Sequence, residues 1–311
     1  MSEPVVSVVI VSDYAGGTSG SVDDYRHCVR ALAAQDFDER AEFILSESDQ
    51  FQDSFPDDIA GILPSLRVVF SPERTAFGLK NEGVRQASAP FVVILDADCD
   101  PEPGWLRSAV ESLRAHPDVA AVSGRTLSRL VSGPGRFASL ADRVVGDEGT
   151  AGPTAHVALN NIAFRRDFYL EHPLSSAAGS CGFAFYSQGL LQAGHTLWFD
   201  PGMEVVHDPM TFAAVRDARR LMGISLILSR KLDPRHPHAW LVRLGYASIP
   251  IFVVSKTLLS ARRIIVRGPD HGLRWYHIPG SVASAFVRHA LEAPGMILAF
   301  RGRPVQSTQF R

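Results

Sequence analysis

Apolar residues along this chain fall into short unbroken runs separated by amphipathic stretches. Val5–Ser12 (VVSVVIVS), Ala41–Ser46, Leu66–Ser71, Pro90–Asp96 and Asp118–Ser123 have strand length and are rich in β-branched residues. Between them, Ser21–Ala34, Ala76–Ala87 and Pro103–His116 carry helical spacing. Ser21 or Asp23 is placed to cap the first of these helices, and a proline sits in the first turn of the last. This alternation predicts an α/β fold, a mostly parallel sheet with helices on both faces. Residues 125–155 are Gly- and Ser-rich, lose the periodicity, and read as a flexible loop over a site. Val157–Arg165, Gly182–Ala193 and Leu197–His207 then resume strand, helix and strand.

The end of the chain has a different pattern. Thr211–Lys231 reads as one long helix carrying Arg216, Arg219, Arg220, Arg230 and Lys231. Two apolar stretches follow, Gly245–Ser255 between Arg243 and Lys256, and Trp275–Val287 between Arg274 and Arg288. Neither approaches the ~20 apolar residues of a spanning helix, so they read as core helices or interfacial segments with basic flanks.

Charge sharpens this division. The 311 residues carry a net charge of -2, but residues 1–210 hold 15 Lys/Arg against 29 Asp/Glu, a balance of -14, and residues 211–311 hold 16 against 4, a balance of +12. The expectation is therefore two parts: 1–210, and a basic helical region, 211–311, that faces an anionic surface such as a membrane. The 3 cysteines are widely separated and lack metal-ligand spacing, which suits a reducing compartment and argues against a zinc site. Met1–Pro4 has no basic region and runs into the first strand, so no secretory signal is expected. These features point to a cytoplasmic protein, peripheral on the inner face of the cell membrane, with no nucleic-acid partner.

The segment with the strongest chemical signal is Phe91-Val92-Val93-Ile94-Leu95-Asp96-Ala97-Asp98-Cys99-Asp100-Pro101. An apolar run long enough to be buried on both faces ends in alternating carboxylates. Asp96 and Asp98 share a side of an extended chain, because the strand repeat is two residues. Carboxylates at the end of a buried strand are costly unless paired, and two hard oxygen ligands suit Mg²⁺ or Mn²⁺. Open α/β sheets gather their ligands at that edge. The competing reading is an acidic turn ahead of the helix from Pro103.

Four segments in order, Val5–Ser12, the strand before Glu47, Gly78-Leu79-Lys80-Asn81-Glu82-Gly83 and Leu95-Asp96-Ala97-Asp98, resemble the nucleotide-sugar-binding half of the inverting family-2 glycosyltransferases, which have the GT-A fold. Asn160-Asn161-Ile162-Ala163-Phe164-Arg165-Arg166 is similar to that family's acceptor-side strand and Arg-Arg turn, and Pro201-Gly202-Met203-Glu204-Val205-Val206-His207 to its Pro-x-x-x-Val-x-His ending. The match covers about residues 5–210. It implies a metal-dependent transferase moving a sugar from a nucleotide-diphosphate donor to a lipid-linked or saccharide acceptor. It also implies roles: Asp98 and His207 as metal ligands, Asp96 at the donor's ribose or sugar or at the metal's water shell, Glu47 at the nucleobase, Lys80 near the diphosphate, and Ser12 and Asp13 in the loop where base and ribose lie.

The resemblance fails at one position. The acidic pair that supplies the family's general base should fall near Gly182-Phe183, and no carboxylate is there. A relocated base, with Glu171 and His172 as the candidates, is one explanation. A second is an acceptor that is already an anion, such as a polyprenyl phosphate paired with Arg216, Arg219 and Arg220. A third is a non-catalytic, nucleotide-sugar-binding or scaffold homologue in glycan assembly. A nucleotidyltransferase would need a basic, glycine-rich loop after the first strand. Gly16–Gly20 is glycine-rich, but the next basic residue is Arg26.

Overall fold

A computed structural model describes residues 3–12, 22–129, 143–144, 146–175, 182–208 and 212–302. Asp13 and the Gly16–Gly20 loop lie outside the described residues.

The first half is the expected alternation. Strands β1 (Val6–Val11), β2 (Ala41–Ser48), β3 (Leu66–Ser71) and β4 (Phe91–Asp96) pair in parallel in the order β3-β2-β1-β4. Every residue of β1 is buried, as its unbroken apolar run requires of a strand covered on both faces. Helices α1 (Val22–Ala33), α2 (Ile59–Ile62), α3 (Ala76–Gln86) and α4 (Trp105–Ala115) fill the connections. Two apolar layers result, one containing Val8, Ile10, Cys28, Leu45 and Trp105, the other Val9, Ile44, Leu79 and Ile94. Alternate residues of β1 therefore serve opposite layers.

Helix α3 is capped by Thr75, whose hydroxyl accepts from Gly78 N at 3.0 Å. It lies so close to β1 that a Cβ at Gly83 would stand 2.3 Å from Val9 Cγ1. Lys80 is one turn earlier on the same side of the helix, which directs it at the sheet.

The second half departs from simple alternation. Strand β8 (Asn161–Arg165) enters antiparallel between β4 and β6 (Val119–Ser128), and β9 (Thr196–His207) runs parallel to β6. Two short strands, β5 (Cys99–Pro101) and β7 (Gly152–Thr154), both pair antiparallel with β9. Thus β1, β2, β3, β4, β6 and β9 share one direction, and the sheet is mostly parallel. The expected loop over 125–155 is corrected at both ends. β6 continues to Ser128, and β7 occupies 152–154, because β9 offers both a partner edge. The Arg-Arg turn closes the opposite edge: Arg165 donates to Val119 O at 3.0 Å and to carbonyls at the end of α4, and Arg166 donates to Ala87 O at 2.7 Å. Helices α5 (Arg166–Glu171) and α6 (Gly182–Gln192) connect β8 to β9.

Residues 212–302 are helical: α7 (Phe212–Leu232), α8 (Ser248–Arg267), α9 (Ile278–Ala290) and α10 (Ala293–Phe300), with short 3₁₀ turns between. α7 and α10 cross at backbone contact, and a Cβ at Gly295 would lie 1.8 Å from Arg220 O. The crossing encloses Glu292, which is fully buried and pairs with Arg219 (3.3 Å), Lys256 and His289 (3.3 Å). Arg219 is thereby turned inward. The expectation that it forks an acceptor phosphate is corrected, while Arg216 and Arg220 remain exposed. Buried Asp147 ties this region to the sheet, pairing with His271 at 2.7 Å and Arg125 at 3.1 Å. Among the described residues, no helix is long and apolar enough to cross a membrane.

Candidate metal and donor site

The register of the parallel strands aligns their carboxyl ends. Val11 lies opposite Ser46 on one side and Asp96 on the other, so Ser12, Glu47 and Asp96 arrive together at one edge. Glu47 is fully buried and accepts hydrogen bonds from Ser12 Oγ (3.2 Å), Ser48 N (2.6 Å) and the Tyr25 hydroxyl. Three donors on one carboxylate compensate its loss of water. The sequence reading missed Tyr25, whose helical position gives no sign of its partner.

Asp96 is held by its main chain, Asp96 N donating to Asn160 O at 3.1 Å, and by Lys80 Nζ at 2.7 Å from Oδ1. Lys80 also donates to Leu159 O at 2.9 Å and is 3 % exposed. In this structure its ammonium is the counter-ion of Asp96. A buried lone carboxylate would cost several kcal/mol, and the lysine beside Asp96 offsets that cost.

Beyond Asp96 the chain bends, Ala97 N donating to Val11 O at 2.9 Å, and re-enters the sheet as β5. Pairing with β9 places Cys99 opposite His207. This brings His207 Nε2 to 3.1 Å from Asp98 Oδ2, with both residues buried. His207 Nδ1 contacts the carbonyl of Asp208, and Asp208 N donates to Asp98 O at 3.0 Å. With the Nδ1 proton on that carbonyl, Nε2 turns its lone pair to the Asp98 carboxylate. Two lone pairs at this separation call for a proton or a cation between them. A carboxylate oxygen and an imidazole nitrogen are a donor pair that a divalent transition-metal cation can use.

Cys99 completes a compact set, the ligand atoms of Asp98, Cys99 and His207 lying within 4.8 Å of one another. Burial pushes the Cys99 thiol well above its ordinary range, and the charges of Asp98 and Asp96 push it further. It is thus a protonated neighbour, touched by Asn160 Nδ2 at 3.5 Å. The sequence reading passed over Cys99 because it lacked a second cysteine.

Arg129 was also missed. Its backbone N donates to His207 O at 2.9 Å, and its guanidinium grips Asp208 and Asp100. It therefore ties the segment carrying Asp98 to the segment carrying His207. Its position after the expected end of β6 left no pattern to reveal it.

The two candidate bases lie elsewhere in the fold. Glu171 is the exposed last residue of α5, and the His172 ring stacks on Phe168 with centroids 4.5 Å apart. α5 begins where Arg166 N donates to Pro90 O, at the start of the strand that ends in Asp96. The structure thus joins Ser12 to Glu47, Lys80 to Asp96 and Asp98 to His207, and puts Glu171 and His172 on the helix rooted at the opposite edge.

A search of curated proteins finds no significant match. Among solved structures, the fold is similar to the mannosyltransferase PcManGT from Pyrobaculum calidifontis in complex with GDP-Man and Mn²⁺. The TM-score is 0.58 at 18% identity, over 94% of this chain and 87% of that one. A weaker likeness is to GalNAc-T7 with UDP, GalNAc and Mn²⁺, with a TM-score of 0.46 at 14% identity, over 71% of this chain and 48% of that one. The GT-A fold expected from the motifs is the fold observed. The model of glycosyl transferase family 2 matches residues 23–193, and the chain belongs to that family.

Proposed function

We propose that the protein is a metal-dependent glycosyltransferase that moves a sugar from a nucleotide-diphosphate donor to a lipid-linked or saccharide acceptor. The observation that carries this reading is the buried Asp98–His207 pair at the carboxyl edge of the sheet in a family-2 chain. Mn²⁺ or Mg²⁺ held there would stabilise the negative charge that develops on the departing diphosphate. Asp98 and His207 would hold the ion. Asp96, paired with Lys80, would face the ribose or sugar, and Ser12, Asp13 and Glu47 would line the nucleoside end.

The acceptor follows from the missing base. A polyprenyl phosphate is already anionic and can attack without giving a proton to the protein. A hydroxyl acceptor needs a base, and Glu171 and His172, on the helix rooted at the opposite edge of the sheet, are not placed to supply it. The lipid-linked case agrees with a basic C-terminal region at the inner face of the cell membrane. The alternative of a non-catalytic donor-binding homologue has one specific observation in its favour, the absence of a carboxylate at Gly182-Phe183.

A donor screen following nucleoside diphosphate release with Mn²⁺ or Mg²⁺, with and without polyprenyl phosphate, tests the proposal. Release that depends on both metal and acceptor supports it. Metal-dependent nucleotide binding with no turnover on any acceptor supports the non-catalytic alternative. Glu171→Gln and His172→Gln should leave turnover within a few-fold of wild type on either acceptor, and a loss of about 10²–10⁴-fold would show that one of them does act as base.

A further inference from the structure

Helix α8 buries Phe252, Val253, Ser260 and Ile264 on one side. Its other side is exposed at Ile251, Val254, Leu258, Leu259, Ile265 and Val266. These positions recur at helical intervals and form one largely apolar face, interrupted by exposed Ser255 and Arg262. A helix on the surface of a soluble domain turns polar residues outward, whereas here Leu258 is 66% and Leu259 63% exposed. Helix α9 packs beside α8 and exposes Phe286 and Val287. Trp275, 81% exposed, and Tyr276 stand in the turn between the two helices, and Trp240 in the segment before α8. Arg243, Arg262 and Arg274 are exposed among them. Of the 4 acidic residues in 211–311, Glu292 is fully buried.

We propose that this face is the docking surface for an anionic phospholipid bilayer, with α8 lying in the plane of the interface. The inference rests on the membrane part of the function proposed above and not on the transfer chemistry. Exposed aliphatic stripes flanked by Trp, Tyr and Arg match the layered polarity of a bilayer interface: acyl chains, then carbonyl region, then phosphates. The balance of +12 complements anionic headgroups. A second copy of the chain is a poorer occupant, because a self-complementary contact would bring two such basic regions together. α8 lies on the surface and does not cross it, since it carries Lys256, Arg262, Arg263 and Arg267 in 20 residues. The Asp147–His271 and Arg263–Glu148 pairs couple the docked region to the sheet that carries the metal site.

Flotation of the full chain with phosphatidylcholine vesicles, with and without about a third of phosphatidylglycerol, tests this electrostatic preference. The wild type should float with the anionic vesicles, release as salt rises, and show a blue shift of tryptophan emission on binding. Leu258→Gln with Leu259→Gln should weaken partition about tenfold or more, because two exposed apolar side chains no longer enter the bilayer. Arg243→Gln with Arg262→Gln should reduce the preference for anionic over neutral vesicles by about tenfold or more. Calorimetry with a nucleoside diphosphate and Mn²⁺ should be unchanged in both variants. No anionic preference in the wild type, or unaltered partition in both variants, overturns the proposal. So does a dimer in sedimentation that the leucine variant dissolves and vesicles do not. A chain that binds nucleotide but ignores vesicles defeats the docking face alone. A chain that floats but binds no nucleotide defeats the transferase reading alone.

Discussion

Asp98→Asn is the most direct test of the metal site. The substitution keeps the size of the side chain and removes one negative charge 3.1 Å from His207 Nε2, in a buried setting. The backbone around it is held by Asp208 N to Asp98 O and by the β5–β9 pairing, neither of which needs the side chain. The fold should therefore survive. One charge-assisted contact at a buried site is worth about 1.5–3 kcal/mol. At 1.4 kcal/mol per factor of ten, Mn²⁺-dependent nucleotide affinity should fall by about 10- to 140-fold. Calorimetry with a nucleoside diphosphate, with and without Mn²⁺, measures this. Thermal melting supplies an independent check, since an ion that binds only the folded chain raises the melting temperature with its concentration. Wild type should show that rise, and the variant should lose it. If Asp98 and His207 form only a structural ion pair, the variant melts lower than wild type and Mn²⁺ moves neither protein. That result would refute the metal assignment.

Arg129→Gln should weaken Mn²⁺ binding several-fold while leaving the fold intact, because it loosens the tie between the Asp98 and His207 segments without removing a ligand; unchanged calorimetry would count against its positioning role. Lys80→Met should destabilise the chain by about 3–5 kcal/mol, since it leaves Asp96 buried without its counter-ion, and Lys80→Met with Asp96→Asn should recover part of that loss in denaturant titrations. Glu292 gives a pH signature. Burial alone would raise its pKa, but His289, Lys256 and Arg219 outweigh burial and hold it at about 2. Because the folded value is depressed, its contribution is full above the unfolded value near 4.5 and disappears as pH falls through about 2. The shift corresponds to about 3 kcal/mol, so the gap in melting temperature between wild type and Glu292→Gln should be wide at neutral pH, narrow below about pH 4.5 and close only as pH reaches about 2. A gap that stays constant with pH would argue against the buried ion cluster.

The local pattern of the chain already determined much of this architecture. Short runs rich in β-branched residues favour strands, and β1 to β4 appear where those runs stand. Asp96 and Asp98 were legible as a pair because a strand repeats every two residues and because the apolar run ends abruptly there. Tertiary structure decided which distant segments meet. β5 has three residues, too few to carry a pattern, and it exists as a strand because β9 offers an edge; that pairing alone brings His207 to Asp98. Charged side chains were the least legible. Glu47 and Lys80 read as donor contacts, Arg219 as an acceptor contact, and Glu292 carried no signal; that all four are buried was not legible, because the partners that compensate their desolvation come from elsewhere in the chain. The opposite holds for Leu258 and Leu259. Their spacing fits a core helix, yet the packing of α8 commits Phe252 and Ile264 to the core and turns the leucines outward. A helical stripe records that a face is apolar; only the positions of neighbouring elements decide whether protein covers it.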